Sequence, residues 1–231
     1  MQKAKVNNQI YLSGGGNEHQ SFPLDNFFFN ALPKKGFFLY IPIALRGHKL
    51  FSTAPAWMKG LITLHKRRDL TFKTVINLQK YKFENLVNIN GIYIGGGNTW
   101  LLMQELKDSR FADVLNQYLK TGVLLYGGSA GAIVFGKKID TQNDKNVVRL
   151  KDQNGLNLLN KYSIICHYTK VQDDNCKKWT KKNKLPLICL PEETGLIIEA
   201  DQARCVGTKP CMLYSATGKQ KLIKPNKSFN L

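Results

Sequence analysis

The sequence predicts a doubly wound α/β sandwich: helices on both faces of a mostly parallel sheet, with a β-meander at the C-terminal edge. Three observations predict it. Short apolar runs such as Phe37–Ile43 and Gly91–Ile94 are continuous rather than alternating, as in strands covered on both faces. Stretches with helical spacing lie between them, joined by short connections. Three of the runs end in glycine turns, Gly14–Gly16, Gly95–Gly97 and Gly127–Gly128. In open α/β sheets the site lies beyond the carboxyl ends of the strands, so these turns should share one functional rim.

Taken in order, Gln9–Ser13 is a short buried strand. Phe22–Leu32 has an apolar helical face and is ended by Pro33 and Gly36. Phe37–Ile43 is the second strand. A helix over Phe51–Arg68 carries Trp57, Met58, Leu61 and Ile62 as a core stripe, with His65 on its basic surface. Val75–Leu78 is a third strand and Gly91–Ile94 a fourth. Helices follow from Trp100 and over Phe111–Leu119. Gly122–Tyr126 is the next strand, and Ala132–Phe135 can open a helix after it. A polar loop spans Asp140–Asn154. Ser163–Cys166 and Leu187–Leu190 are strands separated by a lysine-rich segment, and Gly195–Ile223 reads as the meander.

The 231 residues suit one domain, over 1–231, with a sizeable core. No window resembles a membrane span, and Met1–Gly16 has no apolar leader. The five cysteines lack paired metal spacing, and Cys166 and Cys189 fall in apolar runs. Buried free thiols in a reducing, cytoplasmic setting are expected, with no metal and no cofactor. The net charge of +18 is spread along the chain without an RNA- or DNA-binding motif, so no specific nucleic-acid partner is expected.

Between the fifth strand and its helix lies Gly127-Gly128-Ser129-Ala130-Gly131. Strand, Gly-x-Ser-x-Gly, helix is the context of a nucleophile elbow, in which a sharp turn projects a serine Oγ above the sheet. A hydroxyl needs a base to take its proton. Of four histidines, His19 and His48 lie in polar loops, while His167 directly ends an apolar strand and should reach the rim. The base needs an acid to hold its tautomer. Glu192 ends the following strand, Glu193 beside it should point elsewhere, and Asp144 in the loop after the elbow helix is the alternative. The backbone N–H groups of Ala130 and Gly97 would form the oxyanion hole.

Gly95-Gly96-Gly97-Asn98-Thr99, Gly128-Ser129-Ala130-Gly131-Ala132, strand-end His167 and Leu190-Pro191-Glu192 together resemble the dipeptidase E and cyanophycinase family of serine peptidases, in order and spacing over nearly the whole chain. The resemblance implies a flavodoxin-like fold related to class I glutamine amidotransferases, with serine in place of cysteine. It implies Ser129 as nucleophile, His167 as base, Glu192 as acid, with Asp144 as a second assignment, and short peptides as substrates; a monomer or homodimer is expected. Asn98 and Lys177 are the substrate-binding candidates. The branch that cleaves dipeptides with N-terminal aspartate carries arginine after the histidine. No arginine lies between His167 and Glu192 here, only lysines such as Lys170, Lys177 and Lys178, which lack the two-pronged fork. The rival expectation is a silent relative that binds a small ligand or partner at the same rim.

Overall fold

The structure is a computed structural model that describes residues 9–86 and 88–231. The polar run before Gln9, where no apolar leader is read, lies outside the described residues. The strands are β1 (Gln9–Ser13), β2 (Phe37–Ile41), β3 (Thr71–Thr74), β4 (Gly91–Ile94), β5 (Leu124–Gly128), β6 (Ser163–Ile165), β7 (Leu187–Cys189), β8 (Thr194–Glu199), β9 (Gln202–Gly207), β10 (Cys211–Tyr214), β11 (Gln220–Ile223) and β12 (Ser228–Asn230). The helices are α1 (Phe22–Ala31), α2 (Ala54–Leu64), α3 (Thr99–Asp108), α4 (Phe111–Tyr118), α5 (Ala130–Ile133) and α6 (Asp173–Asn183). Among the described residues no helix is long and apolar enough to cross a membrane.

The central sheet has eight strands in the order β12-β9-β8-β1-β5-β4-β2-β3. From β1 to β3 all neighbours are parallel, and β8, β9 and β12 extend the other edge antiparallel. Register aligns Ser13 with Gly128 and Ile94 with Gly127, so the three glycine turns emerge side by side. The tail does not stay on this edge. Its first hairpin, β8–β9, joins the central sheet, whereas β10–β11 joins a second sheet of order β11-β10-β7-β6.

The side chains of the parallel strands sort by face. Ile10, Leu12, Leu39, Ile41, Ile92, Ile94 and Leu125 enter one core with α3, α4 and α5. Tyr11, Phe38, Tyr40, Tyr93 and Tyr126 enter a second core with α1 and α2. This is the strand period of two with both faces covered. On the second face Tyr93 and Tyr126 stack with centroids 4.0 Å apart, and Phe28 of α1 meets their edges at 5.8 and 5.2 Å. Such pairs each add roughly 0.5–1.5 kcal/mol beyond area burial. α1 ends where Leu32, before Pro33, is forced into an extended conformation.

Three expectations shift. The third strand is Thr71–Thr74, not Val75–Leu78. It is an edge strand with half-exposed side chains, so it lacks the apolar signature; Val75 and Leu78 are buried just beyond its end. His65 is not on the surface. It caps the C-terminal end of α2, is 6% exposed, and stacks on Phe22 at 4.5 Å. Trp57 is not a core residue: its neighbours Met58, Leu61 and Ile62 are buried, but the indole is 40% exposed.

Candidate active site

The chain turns sharply after β5. Ser129 takes φ 50° and ψ −112°, a region a non-glycine residue rarely occupies. The flanking glycines permit it: a Cβ on Gly131 would stand 2.3 Å from the Ile94 carbonyl oxygen, and one on Gly127 2.4 Å from that of Gly131. The Ser129 N–H donates to the Ser13 carbonyl at 3.1 Å, which ties the elbow to the end of β1.

His167 arrives from the second sheet, two residues beyond β6. It too has positive φ, 51°, and its N–H donates to the Gly14 carbonyl at 2.9 Å. The imidazole then lies across Gly15, where a Cβ would stand 2.3 Å from the ring, so only glycine leaves room. Ser129 Oγ is 2.7 Å from His167 Nε2, and His167 Nδ1 is 2.8 Å from Glu192 Oε1. The serine, imidazole and carboxylate thus form one hydrogen-bonded line, although they come from two different sheets. The His167 hydrogen bond holds the Glu192 carboxyl below its ordinary pKa, against partial desolvation, and Gln20 Nε2 donates to the other carboxylate oxygen at 2.9 Å. Gln20 escaped the sequence reading because it belongs to the turn after β1 and has no motif of its own.

The remaining residues singled out above separate clearly. Glu193 pairs with Lys209 at 2.7 Å, away from His167. The Asp144 carboxylate accepts from Thr99 N and Thr99 Oγ1 at 3.0 and 2.6 Å, and Trp100 Nε1 donates to its carbonyl. Asp144 therefore anchors the N-terminus of α3 and is not the partner of His167. Asn98 caps the same helix by accepting from Leu101 N at 2.9 Å, and its amide donates to the Lys145 carbonyl. Lys177 faces Asp174 on α6. Neither Asn98 nor Lys177 lines the cavity around Ser129. Gly96, which the sequence reading passed over for Gly97, is the glycine of that turn that lies against the serine; a Cβ there would lie 3.1 Å from Ser129 Cβ. Among the described residues the N–H groups of Gly96, Gly97 and Ala130 donate to no backbone carbonyl. Cys166, next to His167, is fully buried, and burial pushes its thiol far above its ordinary pKa, which removes it as a nucleophile.

A cavity of about 460 Å³ opens on the hydroxyl side, walled by the Gly95–Gly97 turn, Ser129 and His167. A second, of about 470 Å³, lies behind the His167–Glu192 pair and includes Lys170, Lys209 and Met212 but not Ser129.

A parallel sheet whose rim carries serine, imidazole and carboxylate in line defines a hydrolase of the serine peptidase class. Comparison with known proteins agrees and narrows it. The model of peptidase family S51 matches residues 10–206, and the chain belongs to that family. It is 25% identical over 224 residues to the probable alpha-aspartyl dipeptidase of Drosophila melanogaster, an alignment covering 90% of this chain and 87% of that protein. It is 31% identical to peptidase E of Shewanella denitrificans over 57% of this chain and 59% of the relative. Peptidase E of Nostoc is 30% identical over 60% of this chain and 61% of the relative. The crystal structure of a peptidase from an acI-B1 actinobacterium superposes with a TM-score of 0.72 at 19% identity, covering 97% of each chain, a likeness of fold.

Proposed function

We propose that the protein hydrolyses short peptides through an acyl-enzyme, with Ser129 as nucleophile, His167 as general base and Glu192 as the acid that orients it. Ser129 Oγ attacks the scissile carbonyl while His167 Nε2 takes its proton. The tetrahedral oxyanion accepts hydrogen bonds from the free N–H groups of Ala130 and of the Gly96–Gly97 turn, preorganised donors of the kind that stabilise developing charge most effectively. His167 then returns the proton to the leaving amine, and water repeats the sequence in reverse to release the acid. Glu192, its pKa lowered by the imidazole, stays ionised and stabilises the imidazolium. The observation that carries this reading is the unbroken line Ser129 Oγ, His167, Glu192 at 2.7 and 2.8 Å.

Short peptides fit both the size of the hydroxyl-side cavity and the dipeptidase and peptidase E names of the relatives. Five free, buried cysteines suit a reducing compartment such as the cytoplasm. We take the chain to act as one domain, as a monomer or homodimer and without a nucleic-acid partner. The test is labelling by a fluorophosphonate probe. The wild type should be labelled and Ser129→Ala should not; equal labelling of the two removes the mechanism.

A further inference from the structure

The cavity that holds Ser129 Oγ also holds the glycine turn proposed for the oxyanion, so the residue that acylates the serine must place its side chain there. Its composition is unusual for the neighbourhood of a peptide terminus. The floor is Tyr40, Tyr93 and Tyr126, and the rim is Trp57, Leu45 and Leu50. Trp57 and Leu50 are 40% and 51% exposed, large apolar surfaces held open at the mouth. Among the described residues, apart from His167, no ionisable acid or base other than the tyrosines lines the space. A buried carboxylate would find no cation there, and unpaired burial of a charge is heavily penalised.

A cationic side chain fares no better. The nearest acid beneath the floor is Asp25, which is fully buried, accepts from Tyr126 Oη through Oδ1, and accepts from Ser21 Oγ through Oδ2 at 2.7 Å. Both oxygens face protein partners, so Asp25 serves the floor and not the ligand. Tyr40 differs from Tyr126. It is 1% exposed, and among the described residues its hydroxyl has no hydrogen-bond partner. It therefore adds a neutral polar contact at the aromatic floor, alongside Ser13, Ser21 and Thr53, which also line the space.

Resting on the reading of Ser129 as nucleophile, we propose that the acyl-side pocket selects a bulky, uncharged side chain, aromatic above all, and discriminates against aspartate. The ring of the substrate packs among Trp57, Tyr93 and Tyr40, as aromatic groups do in offset or edge contacts. This sets the chain apart from the specificity in the name of its Drosophila relative.

The experiment compares diphenyl aminoalkylphosphonates carrying phenylalanine, alanine and aspartate side chains, whose phosphorus takes the serine oxygen and loses phenoxide. The fluorophosphonate probe and Ser129→Ala serve as the reference. The phenylalanine reagent should inactivate the wild type at least about tenfold faster than the aspartate reagent, the scale of discrimination an apolar pocket provides. Trp57→Ala should slow the phenylalanine reagent severalfold more than the alanine reagent, while Trp57→Arg should raise the aspartate rate relative to the phenylalanine rate. Fluorophosphonate labelling at Ser129 combined with equal or faster reaction of the aspartate reagent overturns the specificity and leaves the nucleophile standing. Equal slowing of both reagents in Trp57→Ala removes the indole as selector and overturns the proposal. Loss of all Ser129-dependent labelling overturns the hydrolytic reading, and this inference with it.

Discussion

On one face of the central sheet the strands present Ile10, Leu12, Leu39, Ile41, Ile92, Ile94 and Leu125; on the other, the same strands present Tyr11, Phe38, Tyr40, Tyr93 and Tyr126. The strand side chains of the aliphatic face carry no polar atoms to satisfy, and α3, α4 and α5 pack over it. The aromatic face brings hydroxyls into the interior, and each must find a partner or reach solvent. Tyr126 finds Asp25, Tyr11 finds Gln9 at 2.6 Å, and Tyr40 is left at the cavity wall. The same sheet is thus a dry core on one side and the floor of a binding space on the other. Among the described residues the two buried side chains of the carboxylate and imidazole kind, Asp25 and His65, also sit on the aromatic side, packed by α1 and α2.

If chemistry belongs to the rim and stability to the two faces, variants should separate cleanly. The largest effect is expected for Ser129→Ala, a loss of roughly 10⁴- to 10⁶-fold in kcat, with an unchanged melting temperature by calorimetry. Glu192→Gln should cost about 10²- to 10⁴-fold in kcat by leaving the imidazole without its anionic partner. A comparable loss in Asp144→Asn would return the acid's role to the loop. On the aromatic face Phe28→Ala should destabilise by about 3–5 kcal/mol, against about 0.5–1.5 kcal/mol for Ile92→Val on the aliphatic face, both read by urea denaturation.

Asp25 and His65 give opposite pH signatures. Burial lowers the His65 pKa from 6.5 to about 4, so its neutral form is favoured in the fold; the stability it contributes is present above pH 6.5 and lost as pH falls toward 4. Burial raises the Asp25 pKa from 3.8 to about 6, more than its bonds with Tyr126 and Ser21 lower it. Its destabilising effect therefore grows as pH rises from about 3.8 to about 6. Each is worth on the order of 3 kcal/mol at the extreme. His65→Leu should flatten the fall on the acid side, and Asp25→Asn should remove the opposing slope, in unfolding free energies measured from pH 4 to 7. A small effect is expected at the α3 cap, where Asp144→Ala should cost about 1 kcal/mol.

The three turns, the elbow and the trio Ser129, His167 and Glu192 were legible because each is a local event: an apolar strand stops, and a glycine or a chemically active side chain follows at once. Residues defined by partners far along the chain were not legible. Nothing near Trp57 distinguishes an indole on a cavity rim from one in a core, and nothing near His65 says that Phe22 and Phe29 will cover it. Asp144 and Asn98 lie in stretches that suit catalysis or binding equally well, until the loop folds back and both are spent on capping α3.

Sequence alone determined the alternation of strands and helices, the continuous apolar runs of a two-sided sheet and the glycine turns, since burial periodicity and backbone freedom are properties of neighbouring residues. Tertiary structure alone decided that β6 and β7 leave the central sheet, that the tail divides between two sheets, and that a ring from one sheet meets a hydroxyl from the other across Gly15. An apolar pattern records that a strand is covered but not by what. The choice of partner is made by hydrogen-bond pairing and packing between segments more than a hundred residues apart, such as Gly15 and His167.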